Sequence, residues 1–294
     1  MTKLNTILKT SVLALAVLVI AFMFSACGKS SQFSEVKVDT KANYANSTLT
    51  EVQQALEGEE SSEPDQEPTQ SVSGFHMSMD MNSVVNFGGK QSNSTSKMNM
   101  FFKFTESETG SKMEVAMKIS GTADGEKTSA TLYYIGNFPT EGEDTEELYA
   151  ELNNMQDPDS DPENPKYISG KYKFTPETLL GQQLGMTLQI MQSMVETMSP
   201  YGDNEFMVET NQFAMATKGD TTKIRVIIPG ATEAQNATAY YILKNGELNA
   251  FKIVNLVDSD EYGTETTNIA VTTWAGDIDY PSFKKYKEYQ PVVA

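Results

Sequence analysis

FHMSMDMN, residues 75–82, alternates an apolar side chain with a polar one at every step. Residues i and i+2 of a strand point to the same side of a sheet, so this stretch predicts a strand with one apolar and one polar face. The apolar face carries Phe75, Met77, Met79 and Met81. The single histidine of the chain, His76, falls on the polar face and is predicted to be exposed.

The same alternation recurs twice, in residues 98–104 and 113–119. Gly88-Gly89 and Glu108-Thr109-Gly110 separate the three stretches, and Asp124-Gly125 follows the third. Together they predict an antiparallel meander that runs to Ile135 and has one apolar face. The further members of that face, which is either core or ligand surface, are Met98, Met100, Phe102, Met113, Val115 and Met117.

A mid-chain helix over 176–198 is the predicted cover for this face. Thr175-Pro176-Glu177 supplies a cap, a proline in the first turn and an acid near the positive end of the helix dipole. Leu184, Leu188 and Met191 lie on its apolar stripe and are expected against the methionines. A shorter helix is predicted from the stripe of Ala45, Leu49, Val52 and Leu56, with Asn46 or Ser47 as its N-cap.

The second half of the chain predicts strands again, at 206–208, 212–217, 221–228, 240–243, 247–257 and 263–274. Asn245-Gly246, between two apolar runs, is the strongest hairpin signal. Residues 283–289 are expected to form a short polar tail. The predicted fold class is α+β: a large curled antiparallel sheet, a half-barrel of about 10–11 strands, with helices covering the concave face.

The N-terminus has the pattern of a targeting segment. Lys3 and Lys9 precede an apolar run at 11–24, followed by Phe24-Ser25-Ala26-Cys27. This resembles a bacterial lipoprotein signal peptide with its lipobox, which implies that Cys27 receives a diacylglycerol and anchors the chain to the outer face of the cell membrane. An ordinary cleaved signal and an uncleaved membrane helix are the alternatives, although fourteen mostly apolar residues are short for a membrane span of about twenty.

On this interpretation the chain has three parts. Residues 1–26 are the signal peptide, 27–44 are the lipidated cysteine and a flexible tether, and 45–290 are a single half-barrel domain. Acidic loops are predicted at 57–70 and 137–165 within that domain. Cys27 is the only cysteine, so an intrachain disulfide is excluded.

The net negative charge of the chain limits the kinds of molecule that it can bind. The 294 residues carry a formal charge of −18, which disfavours nucleic acid. The stretch 137–165 holds acids and no Lys or Arg. Its Asp157–Glu163 run partly matches a calcium loop, but Pro162 stands where such a loop needs a glycine. A solvated loop is the favoured interpretation, and calcium binding is the alternative.

Catalytic chemistry is not predicted. One histidine and one lipidated cysteine cannot build a Ser-His-Asp triad or a zinc cluster. The carboxylates fall in loops without apolar surroundings that would separate their pKa values. We therefore expect a non-catalytic monomer with no cofactor and no metal.

The methionines allow three interpretations. The chain has 16, and seven of them fall on the predicted sheet face. Flexible thioethers suit plain core packing, a face that adapts to hydrophobic ligands, or Cu(I) binding, and the interleaved phenylalanines favour the core.

The order of predicted elements resembles a family of half-barrel lipoproteins. The lipobox, the first strand at Phe75–Met81, the mid-chain helix and the hairpin at Tyr240–Gly246 are similar to those of LolA-type and LppX/LprG-type carriers and of Gram-positive cell-surface lipoproteins with that half-barrel. The resemblance implies a lipid or another hydrophobic ligand held between sheet and helices. The competing hypothesis is a structural or interaction lipoprotein with a packed core and no cavity above about 300 Å³.

Overall fold

The computed structural model describes residues 32–57, 70–87, 90–123, 126–156, 166–175, 206–259 and 263–290. Within them lie one α-helix, thirteen strands and two short 3₁₀ turns, at Glu233–Gln235 and Phe283–Lys285. In chain order the elements are β1 (Ala45–Ser47), α1 (Leu49–Glu57), β2 (Gln70–Phe87), β3 (Lys90–Ser107), β4 (Gly110–Ala123), β5 (Glu126–Pro139), β6 (Thr145–Gln156), β7 (Tyr167–Phe174), β8 (Gln212–Lys218), β9 (Thr221–Ile228), β10 (Ala237–Lys244), β11 (Glu247–Ser259), β12 (Gly263–Thr273) and β13 (Lys287–Glu288).

All thirteen strands belong to one sheet. Their order is β1-β8-β9-β10-β11-β12-β2-β3-β4-β5-β6-β7-β13, and every pair is antiparallel except β13 with β7. The two runs of consecutive strands meet where β12 pairs with β2. The first half of the meander thus lies at the centre of the sheet.

The predicted fold class is wrong. The described residues form a thirteen-stranded sheet with one helix of nine residues, and they do not form an α+β half-barrel with helices over its concave face. The strands are longer than apolar alternation alone indicates, since β2 and β3 each span 18 residues. Their distal halves are rich in Ser, Thr and Asn, which still fill a complete backbone ladder. The predicted helix at 176–198, with Leu184, Leu188 and Met191, lies outside the described residues.

The methionine-bearing side of the sheet, here called the inner face, is buried. Met77 lies opposite Met100 and Met79 opposite Met98 in the β2–β3 ladder, and Met100 in turn lies opposite Met117 of β4. Each of these five side chains is at most 3% exposed. They belong to one cluster with Val52 and Leu56 of α1 and with inner-face residues of β8–β12.

The acidic stretch at 137–165 contains more regular structure than predicted. β5 continues to Pro139, and β6 spans Thr145–Gln156, within the stretch predicted to be an acidic loop. Alternation explains this, because Leu148, Ala150 and Leu152 are buried on the inner face while Glu147 and Glu151 point to the other side. Charged outward residues do not prevent a strand whose inward residues are apolar.

Two smaller predictions also differ from the structure. The N-cap of α1 is Thr48, not Asn46 or Ser47, which lie in β1. Thr48 Oγ1 accepts from the Glu51 backbone N–H at 3.2 Å, and Glu51 Oε2 accepts from the Thr48 N–H at 2.7 Å, a reciprocal capping box that the spacing Thr-x-x-Glu encodes. Residues 206–208, predicted as a strand, form a turn.

The opposite side of the sheet, here called the outer face, carries a second core. Aromatic residues of β3, β5 and β6 pack there against the segment 274–286, which crosses this face after β12. Phe283 stacks on Tyr149 with ring centroids 3.9 Å apart, and Trp274 lies 5.0 Å from Phe101. The predicted polar tail at 283–289 is therefore a strap that ends with Tyr289 buried beside Phe174.

His76 belongs to this second core, and the prediction that it is exposed is wrong. It is 9% exposed and stacks on Phe101 at 4.0 Å. Burial lowers the pKa of the imidazole, while a hydrogen bond to the Ser34 backbone opposes that shift. Alternation placed His76 correctly on the side opposite the methionines, but it does not reveal what covers that side.

The chain segment before β1 also lies on the outer face. The Gln32 side chain exchanges two hydrogen bonds with the Asp279 backbone, at 2.9 and 3.1 Å, and the Val36 N–H donates to Ser78 Oγ at 2.7 Å. Lys223 donates to the Asp39 carboxylate at 2.9 Å, which lowers the pKa of that exposed carboxyl. Residues 32–44, predicted as part of a flexible tether, are thus bound along the sheet.

Phe101→Ala tests whether the outer face is a true core. Phe101 is buried among Phe33, His76 and Trp274, so its loss should reduce the free energy of unfolding by about 3 kcal/mol. Urea denaturation measures the difference. Val208→Ala, at a side chain that is 38% exposed, is the control and should change stability by less than about 0.5 kcal/mol. Equal effects of the two substitutions would contradict a second core.

Candidate ligand cavity

A cavity of about 510 Å³ lies at one end of the inner face, where β2 and β11 begin and β3, β5 and β12 end. We call this the cavity end of the sheet. Residues of six neighbouring strands line it, because the antiparallel register brings these residues, including Met113 near the start of β4, to the same level of the sheet. Its lining residues are Ser73, Gly74, Phe75, Phe102, Phe104, Met113, Phe138, Leu248, Asn249, Ala250, Phe251, Val271, Thr272 and Thr273.

The wall of the cavity is mainly aromatic and aliphatic. Phe75 and Phe102 are opposite one another in the β2–β3 ladder and stack with centroids 4.9 Å apart and planes 12° apart. Phe251 is buried at the back, where it packs on Tyr241 at 5.0 Å. Such a surface offers dispersion contacts to an apolar molecule, but little to a strongly hydrated one.

The rim of the cavity is polar. Ser73, Asn249 and Thr273 are exposed, so they mark its mouth. Asn249 Nδ2 donates to Thr273 Oγ1 at 3.0 Å, and Thr272 Oγ1 donates to the Asn249 carbonyl at 3.2 Å. None of the described residues that line the cavity carries a charge. Polar groups at the mouth can therefore accept hydrogen bonds from a ligand or donate them, and the lining does not select for a positively or a negatively charged ligand.

A glycine next to the cavity makes room for one of its walls. Gly136 faces inward on β5, opposite Met113. A Cβ there would lie 2.6 Å from Tyr134 Oη and 2.8 Å from the Phe138 ring, distances that real side chains do not adopt. The missing side chain is what allows Phe138 to lie against the cavity and Tyr134 to reach Glu146, to which its hydroxyl donates at 2.6 Å.

The structure divides the predicted site residues into two groups. Phe75, Phe102 and Met113 line the cavity. The others among the described residues lie in the packed core of the inner face and do not line it; they are Met77, Met79, Met81, Met98, Met100, Val115 and Met117.

Sequence analysis missed the contribution of the second half of the chain to the cavity. Leu248, Phe251 and Val271 are lining residues that no sequence motif marks. The pairing of β12 with β2, about 190 residues apart along the chain, brings them there. The pattern at 247–257 predicts a strand, but it does not indicate which strand lies beside it in the sheet.

The far end of the inner face, beyond the methionines, is polar. Ser96, Thr128 and Thr267 are buried there, and Glu265 is half-buried beside them. Burial is the main cause that raises the pKa of the Glu265 carboxyl to about 7, and the neighbouring Asp258 carboxylate adds to the shift. The two ends of this face thus differ in chemistry, and the apolar one holds the cavity.

The part of the chain that the structure describes holds no group of three or more His, Cys, Asp or Glu side chains able to bind a metal ion. The Asp157–Glu163 loop, for which calcium binding is the alternative interpretation, and the predicted lipidation site Cys27 lie outside the described residues. No described helix has the length and apolar character that crossing a membrane requires.

Comparison of the chain with protein-family models, with curated proteins and with solved structures finds no match. The resemblance to LolA-type and LppX/LprG-type lipoproteins therefore stays a prediction.

Glu265→Gln tests the environment at the polar end. A carboxyl with a raised folded-state pKa contributes stability that is fully present below its ordinary pKa of about 4.5 and is lost as pH rises through about 7. We expect the stability of the natural protein relative to Glu265→Gln to fall by about 1–3 kcal/mol between pH 5 and 8, since partial exposure reduces the full shift. Urea denaturation at both pH values gives the difference, and His76 titrates equally in both proteins. Parallel pH profiles would contradict a raised pKa.

Proposed function

We propose that this protein is a non-catalytic lipoprotein that is anchored to the outer face of the cell membrane through Cys27. It binds a lipid or another hydrophobic molecule in the cavity at the end of the inner face. The observation that carries the proposal is the cavity itself, about 510 Å³ in volume and lined by five phenylalanines. Pockets for small molecules commonly have volumes of about 300–1,000 Å³ and mainly apolar walls.

The lining also indicates which ligands fit. Burying an uncompensated charge is costly, and no described lining residue would neutralise one. An acyl chain or a comparable apolar group would fill the interior, where each buried methylene contributes about 0.8 kcal/mol. A polar head group would remain at the rim, beside Ser73, Asn249 and Thr273.

The anchor is inferred from the sequence. Positive residues, an apolar run and small residues directly before Cys27 together support lipidation. Two acyl chains hold a protein to a bilayer firmly, even where its acidic surface has no attraction for anionic head groups. A cavity for apolar ligands and a membrane anchor would then be parts of one protein.

The packing of the methionines favours a second candidate. Met77, Met100 and Met117 are at most 1% exposed, so they serve the core and offer no surface to a ligand. A structural or interaction lipoprotein would have this core, with the cavity as an incidental gap. Ligand binding separates the two candidates.

Val271→Phe should weaken ligand binding. Val271 lines the cavity, and the larger ring would occupy volume that an acyl chain needs. Titration of protein lacking residues 1–27 with a fluorescent fatty acid should show an affinity at least about tenfold lower than that of the unsubstituted protein. Native mass spectrometry of the unsubstituted protein should show a co-purified lipid.

The matched control is Val254→Phe, the same change on β11 at a position that does not line the cavity. Its affinity should equal that of the unsubstituted protein. No uptake of the fatty acid and no co-purified lipid would favour the structural candidate, and equal binding by both variants would place the ligand elsewhere.

Cys27→Ala tests the anchor. Without the thiol no diacylglycerol can be attached, so the protein should move from the membrane fraction to the soluble fraction, and the mass of the two acyl chains should be absent from its N-terminal peptide. Fractionation and peptide mass spectrometry measure both. Retention of Cys27→Ala in membranes, or an unmodified Cys27 in the natural protein, would contradict lipidation.

A further inference from the structure

The N-terminal segment determines where an anchor at Cys27 can lie relative to the cavity. Ser34 contacts His76 and Val36 contacts Ser78, so residues 34–36 cross the outer face over β2 in the same direction as that strand. Gln32, at its upstream end, is held by Asp279. The chain therefore reaches the sheet at the end where β2 begins, which is the cavity end.

The cavity wall lies directly behind this entry point. Phe33 packs on Phe101 at 6.1 Å, and Phe101 packs on Trp274 at 5.0 Å. The backbone N–H of Trp274 donates to the backbone carbonyl of Gly74 at 2.9 Å, and Gly74 is itself a lining residue of the cavity. A single sheet layer separates the entry point of the chain from the cavity.

The length of chain between the anchor and this point is short. Five residue steps separate Cys27 from Gln32, and they span at most about 18 Å whatever conformation they adopt. The far end of the sheet lies well beyond this reach. Lys127 marks that far end. It lies at the same level of the sheet as Asn82 of β2, because Lys127 pairs with Thr122, Thr122 with Thr95 and Thr95 with Asn82. Asn82 is eight residues from Gly74, which is about 26 Å along β2.

We propose that the cavity end of the sheet faces the bilayer to which Cys27 is anchored, and that the ligand is an acyl-bearing lipid that enters the cavity from that bilayer. This inference rests on the proposed function. The uncharged rim suits it, because Ser73, Asn249 and Thr273 bring no carboxylate to the mouth although the chain as a whole carries a charge of −18.

Energy transfer from tryptophan tests the orientation, because Trp274 is the only tryptophan and lies at the cavity end. Full-length lipidated protein is reconstituted in phosphatidylcholine vesicles that contain a dansyl-labelled phosphatidylethanolamine. Transfer from Trp274 should clearly exceed transfer from a relocated tryptophan in the double variant Trp274→Phe, Lys127→Trp. Lys127 is exposed, so this change should be tolerated, and Thr122→Trp offers a second position at the same level.

A spacer provides the matched control. Inserting twenty Gly and Ser residues after Ser31 lets the sheet move away from the bilayer, and transfer from Trp274 should fall toward that of the relocated tryptophan. Equal transfer from the two tryptophans, or transfer that the spacer does not change, would overturn the orientation. If the fatty-acid titration fails while unequal transfer persists, the ligand is refuted and the orientation stands.

Discussion

Both faces of this thirteen-stranded sheet carry apolar side chains that must be removed from water, and this constraint governs the described part of the molecule. β2 lies at the centre of thirteen strands, so its side chains point into two different interiors. Met77, Met79 and Met81 enter one, and His76 and Ser78 enter the other. Each interior removes apolar area from water, at about 25 cal/mol for each Å². Residues 32–44 before β1 and residues 274–286 after β12 cover the second interior.

The cavity follows from the same arrangement. The methionines fill the middle of the inner face, because a flexible thioether adapts to irregular gaps. Toward the cavity end the lining changes to phenylalanine, whose rigid rings stack in pairs such as Phe75 with Phe102. Rigid rings leave space that flexible chains would fill. The interleaved methionines and phenylalanines, which looked like one surface in the sequence, therefore divide into a packed part and an open part.

The segments that cross the outer face connect the proposed anchor to the cavity. Gln32, Phe33 and Asp279 hold the start of the described chain to the back of the cavity wall. Only five residue steps separate a lipid on Cys27 from Gln32, which is hydrogen-bonded to Asp279. The tether is therefore shorter than the predicted flexible segment 27–44. The proposed orientation toward the bilayer depends on these few contacts, and so does access of a membrane lipid to the rim.

The sequence by itself determined the local features of this protein. Period-two alternation identified the strands around Phe75, Met100 and Met117, Asn245-Gly246 identified a hairpin with positive φ at both residues, and the residues before Cys27 identified a candidate anchor. These signals are short-range, because they come from the pleat and from backbone dihedral preferences. Tertiary structure alone decided that β12 pairs with β2, that His76 is buried against Phe101, and that Val271 and Phe251 meet Phe102 at a cavity. Strand neighbours that are distant in sequence are selected by total burial, and no local pattern records that choice.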